Sequence, residues 1–256
     1  MKKLRIFSLI GLLILSGCVT VTDSRFAKKA NPEKAAETYT ALGVGYVQAG
    51  DLPMGRRKIE RALEIDDEYA AAHSAMGLYW HHRGEPGLAQ QKFEKALDID
   101  DDHSPSNYHY GRFLLIEKND KEACEYLAKA ANDVDYTARV IAYEDLGICY
   151  SRFGQQDKSI AAYERAWSLD SDSTVASLNL SQIYLEKGRP DIATRWFNRF
   201  ERVIQDNGIQ HNATSLYVGA QIGKASGDVN AQASYAFKLR KRFPQSNEYQ
   251  SYVSGN

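Results

Sequence analysis

Apolar and small residues recur along this chain in paired amphipathic segments, and the pairs themselves repeat. Leu42-Gly43-x-x-Tyr46 is followed 34 residues on by Met76-Gly77-x-x-Trp80, and after another 34 by Tyr110-Gly111-x-x-Leu114. Leu146-Gly147-x-x-Tyr150 comes 36 residues later, and Leu180-Ser181-x-x-Tyr184 returns to 34. A second set keeps step with the first: Ile59-x-x-Ala62, Phe93-x-x-Ala96, Leu127-x-x-Ala130 and Tyr163-x-x-Ala166, with Phe197-x-x-Phe200 losing the small residue. Residues three apart share a helical face. Each period therefore predicts two helices, A and B, with a small residue where they cross. Gly50-Asp51, Gly84-Glu85, Gly154-Gln155 and Gly188-Arg189 mark the turn between them. Glycine takes the left-handed conformation that ends a helix, and an acid accepts from the free N–H groups of the next.

A 34-residue helix–turn–helix period with this small/aromatic pattern resembles the tetratricopeptide repeat, TPR. The resemblance implies an all-α, right-handed TPR superhelix. Repeats fall near residues 36–69, 70–103, 104–137, 140–173 and 174–207. A sixth, at 213–246, is degenerate in its first helix, with Gly219, Ala220 and Gly223 in place of the usual pattern. Two inserts break the period, at Asn132–Tyr136 and Gln205–Asn212, and the closing proline of the repeat is replaced by Asp67 and Asp101. The tail from Tyr249 is expected to fray.

The N-terminus follows another pattern. Lys2, Lys3 and Arg5 precede a ten-residue, nearly unbroken apolar run, Ile6–Leu15, and then Leu15-Ser16-Gly17-Cys18. This is the order of a secretory signal, and the last four residues resemble a bacterial lipobox. Residues 1–17 then read as a lipoprotein signal peptide, Cys18 as the acylated first residue, and 18–35 as a lipidated tether. Acyl chains contribute about 0.8 kcal/mol per buried methylene. Val19, where an aspartate would resemble an inner-membrane retention signal, points to the outer membrane, facing the periplasm.

The 256 residues are 43% hydrophobic and 25% charged, which excludes a mostly disordered chain. The formal net charge of −1 removes the electrostatic case for nucleic-acid binding. No run of 18 apolar residues exists to span a membrane; membrane contact is expected through the lipid anchor alone. No Gly-x-Ser-x-Gly, His-Glu-x-x-His or Cys-x-x-Cys is present. His73, His81, His82, His103, His109 and His211 lack metal-ligand spacing. The expectation is a non-enzyme with no cofactor, no metal and no small-molecule substrate.

Stacked A helices line a TPR groove, chiefly through repeat positions 2, 5, 9 and 12. The groove set expected to hold a partner is Glu37, Thr40, Val44, Val47, Ser74, Leu78, His81, Tyr108 and Arg112, and the same stripe also takes in Ala71, Pro105, Leu115, Ile141, Glu144, Ile148, Ser151, Val175, Leu178, Gln182 and Leu185. Cys124 and Cys149 remain after the lipobox cysteine. They fit either a periplasmic disulfide or two buried thiols acting as small hydrophobes. In stacked repeats, helix B of repeat three and helix A of repeat four are neighbours, so the two sulfurs can meet.

Lipobox, about six TPR units and the closing segment Phe243-Pro244-x-x-x-Glu248-Tyr249-Gln250 together resemble the PilF/PilW type IV pilus biogenesis lipoproteins. That resemblance implies a pilotin, an assembly factor whose partner is the pilus secretin subunit. The alternative is a periplasmic TPR adaptor that scaffolds peptidoglycan enzymes or proteases.

Overall fold

In the computed structural model, which describes residues 31–255, the period becomes six helical hairpins. They pair α1 (Pro32–Gln48) with α2 (Leu52–Ile65), α3 (Ala70–His82) with α4 (Pro86–Ile99), and α5 (Ser104–Phe113) with α6 (Ala123–Asn132). Next come α7 (Arg139–Arg152) with α8 (Gln156–Leu169), α9 (Thr174–Glu186) with α10 (Pro190–Asp206), and α11 (Ala213–Ser226) with α12 (Val229–Arg242). A last helix, α13 (Asn247–Ser254), follows. Among the described residues there is no strand, and no helix is long and apolar enough to cross a membrane. The signal peptide, Cys18 and most of the proposed tether lie outside the described residues.

The small residues stand where helices cross. A β-carbon on Gly147 would come within 2.6 Å of the Tyr163 ring, and one on Gly77 within 2.6 Å of Phe93. The B-helix alanines Ala62, Ala96, Ala130 and Ala166 are fully buried. Each A helix packs chiefly on its own B helix, and each B helix on the following hairpin. The core forms one long cluster running from Ala89 to Trp196, flanked by smaller clusters around Val47, Ile59 and Tyr79 and around Phe197, Phe200 and Val218.

Local chemistry explains the departures from the repeat. Where the closing proline is missing, a side chain from the next helix clips the loop. His73 Nε2 lies 2.8 Å from the Asp67 carbonyl, and Asn107 Nδ2 donates to the Asp101 carbonyl at 2.8 Å. Repeat three lacks the turn glycine. Its α5 widens into a π-helical turn, Leu114–Lys118, and Asn119 takes the left-handed conformation at φ 49°. Asparagine tolerates that region better than other non-glycine residues. Part of the second insert lengthens α10 to 17 residues, and Asn212 then caps α11 in a reciprocal bond pair with Ser215.

The degenerate sixth repeat folds as a full hairpin. Gly219 lies under Phe197 and Tyr235, and a β-carbon on Gly223 would meet the Gln232 backbone nitrogen at 2.6 Å. The expected fraying of the tail is corrected. Ser246 caps α13 by accepting from Tyr249 N–H at 3.1 Å, and Thr214 Oγ1 donates to Glu248 at 2.7 Å. Those two bonds join the tail to α11 and give it a helix start.

Candidate partner-binding surface

Helices A contact one another in a shared layer, α1 with α3, α3 with α5, α7 with α9 and α9 with α11. The expected groove stripe lies on this layer, and the structure divides it. Glu37 is exposed, and Val44, Leu78 and His81 are half-buried. Val47, by contrast, is fully buried, because its side chain fills the space over Gly55 on α2. Thr40 and Ser74 are buried as well, at 6% and 1% exposure. These three belong to the seams between helices, so their assignment to an open groove is corrected.

Tyr108 and Arg112 also have a different job from the one expected. Tyr108, 8% exposed, donates to Asp145 Oδ2 at 3.0 Å, and Arg112 Nε meets the same oxygen at 3.0 Å. Both bonds tie α5 to α7. Burial raises the Asp145 pKa, and the Arg112 charge and the Tyr108 hydroxyl pull it back. Ser74 Oγ and His109 Nδ1, 3.1 Å apart, tie α3 to α5. His81 Nε2 lies 2.9 Å from Glu117 Oε1, and Arg152 Nη1 donates to the Leu115 carbonyl at 2.6 Å. The polar residues of the stripe thus bond one repeat to the next. Burial, helped by the charges of His103 and Arg112, lowers the His109 pKa to about 4.

Open apolar surface lies instead at the two ends of the layer. On α1 a pocket of about 640 Å³ is lined by Glu37, Thr38, Ala41, Leu42, Gly45 and Tyr46, among others. Leu42 is 45% exposed there. Between α9 and α11 a second pocket, of about 490 Å³, is walled by Gln182, Leu185, Tyr217, Val218 and Gln221. Of the expected groove set only Glu37 lines the first pocket; Gln182 and Leu185 line the second. Leu42 and Tyr46 were missed because they sit inside the repeat motif, where they read as packing residues. The available signal was that α1 opens the series and its motif carries apolar residues on more than one face.

Cys124 and Cys149 are joined, with an S–S distance of 2.00 Å and Cα atoms 5.6 Å apart. The bond links α6 to α7 across the first insert. Among the described residues, no group of three or more His, Cys, Asp or Glu is placed to hold a metal ion.

A solenoid of helical hairpins with small residues at its crossings and apolar pockets on its A-helix layer is a tetratricopeptide repeat protein, a class built on protein–protein contact. The tetratricopeptide repeat family matches directly at residues 140–173. The type IV pilus assembly protein PilF of Pseudomonas aeruginosa is 30% identical over 239 residues, 93% of each chain. The chain therefore belongs to the PilF family. The solved structure of Pseudomonas aeruginosa PilF superposes with a TM-score of 0.78 at 28% identity, covering 88% of this chain and 99% of that one. The crystal structure of PilW, described as a widely conserved type IV pilus biogenesis factor, gives 0.72 at 27% identity over 88% of this chain and all of that one.

Proposed function

We propose that this chain is a lipoprotein of the outer membrane that assists assembly of the type IV pilus secretin. In this reading Cys18 carries the acyl anchor and the solenoid faces the periplasm. The observation that carries it is the relation to PilF along 93% of both chains. The disulfide adds support, since such bonds persist in oxidising compartments. The partner segment lies along the A-helix layer with an apolar side chain in the α1 pocket, while Glu37 at its rim fixes orientation. Scaffolding of peptidoglycan enzymes draws no support from these relatives.

The test is complementation of a piliated host that lacks the gene, with secretin multimers read on denaturing gels. Cys18→Ala is expected to leave the membrane fraction and lose multimers. Leu42→Glu is expected to stay folded and membrane-bound and still lose them, because a desolvated, unpaired charge costs several kcal/mol. Full multimer assembly in cells without the chain would sink the pilotin role. Full assembly with Leu42→Glu would move the contact to the α9–α11 pocket.

A further inference from the structure

Charge is divided unevenly along the solenoid. Residues 31–228 hold 22 Lys and Arg against 31 Asp and Glu, a net −9. Residues 229–256 hold Lys238, Arg240, Lys241 and Arg242 against Glu248 alone. That one acid is already engaged by Thr214. A body that repels anions thus ends in a hairpin that attracts them.

The same end is apolar on its outside. After a four-residue turn, α13 takes the place of a seventh A helix and packs on α11 and α12. Gln232 Nε2 donates to the Tyr252 hydroxyl at 3.3 Å and helps hold it there. Every other A helix lies against a B partner, but among the described residues α13 has none. Solenoids usually close with a polar outer face. Here Phe237 is 55% and Val253 64% exposed. Between α12 and α13 lies a pocket of about 280 Å³, with Ala233, Ala236, Phe237, Tyr252 and Arg240 among its walls. The Arg240 guanidinium sits 5.9 Å from the Phe237 ring centroid, so a cation and an apolar surface are offered together.

We propose that an acidic amphipathic helix of a protein partner docks between α12 and α13 and supplies the missing B-type contact. Two features select this occupant. The small residues Ala233 and Ala236 allow close approach of a second helix, as Ala62, Ala96, Ala130 and Ala166 do in the B helices of the first four repeats. Lys238 is held over Tyr235 and Arg242 donates to Gln210, but Arg240 stands on the pocket wall with Lys241 beside it in sequence, and these select negative charge on its polar face. An anionic bilayer also offers negative charge, but a pocket between two helices with Ala233 and Ala236 in its lining suits a helix better than a lipid surface. This face lies away from the α1 pocket, so it stands or falls independently of the pilotin reading.

The test measures anisotropy of a labelled 18-residue helical peptide, with Leu at heptad a and d positions and Glu elsewhere, against the whole described chain. A Lys-for-Glu version and phosphatidylglycerol vesicles run in parallel. The Glu peptide is expected to bind, the Lys peptide at least about tenfold more weakly, with the difference shrinking as salt rises. Phe237→Ser with Arg240→Glu is expected to cost at least about tenfold in affinity; Val134→Ser, at an exposed position between α6 and α7, is expected to cost nothing. Circular dichroism checks the fold, and Val253→Asp on α13 replaces the double variant if that fails to fold. No binding of the Glu peptide, equal binding of the two peptides, or unchanged affinity in the variants overturns the proposal. Vesicle binding that depends on Phe237 and Arg240 while the peptide stays unbound overturns it too, in favour of a membrane face.

Discussion

The side chains that look most like ligand contacts are, one by one, the bolts between repeats. Tyr108 and Arg112 converge on Asp145, and His109 shares a bond with Ser74. His109 then gives the molecule a pH dependence. Its folded pKa, about 4, lies below the ordinary 6.5, so between those values the unfolded chain holds a proton that the folded chain does not. Stability is therefore expected to fall as pH drops from 6.5 towards 4, by at most about 3 kcal/mol. The bound is an upper one because His109 keeps some contact with solvent. Urea unfolding at pH 7 and pH 4.5 measures the slope. His109→Gln is expected to flatten it; an unchanged slope would assign it to other groups.

At the scale of elements, repeat three is the irregular one. It lacks the turn glycine, widens α5 into a π-helical turn and begins α6 late, at Ala123. The disulfide sits here and binds the shortened α6 to α7. It closes a loop with a sequence separation of 25, which in the chain-entropy picture stabilises the fold by about 3 kcal/mol. Cys124→Ala with Cys149→Ala is expected to lose about that much in urea unfolding. Reductant should bring the wild type down to a similar level once it unfolds and leave the variant where it was. A double variant as stable as wild type would show that the bond constrains nothing the packing does not already hold.

Taken whole, the solenoid is a line of units whose contacts reach mainly to neighbours. Such stability is close to a sum of local terms, and the ends open first. The long central cluster from Ala89 to Trp196 contrasts with the small clusters beside it. Native-state hydrogen exchange is expected to be slowest in α5 and α7–α9, and to quicken towards α1 and α12. In α12 only Leu239 is buried. Uniform protection along the chain would mean that the molecule opens as one cooperative block.

The amino-acid order alone determined the period, the helical hairpins and the crossings, because a glycine or alanine facing an aromatic is a local steric requirement. Gly77 under Phe93 and Gly147 under Tyr163 were legible for that reason. The family was legible too, since repeat number and tail sit in the sequence itself. What only the tertiary structure decided was which residues of the A-helix stripe remain open. Repeat position assigns a residue to a stripe, but not to what its neighbours in the next repeat do with it. Val47 goes under because Gly55 leaves a hole for it, and Tyr108 is taken by Asp145. Leu42 stays on the surface, with no described helix packed over it. The helical tail was likewise hidden, because α13 depends on Thr214 and Gln232, which come next to it only when the last hairpin stacks.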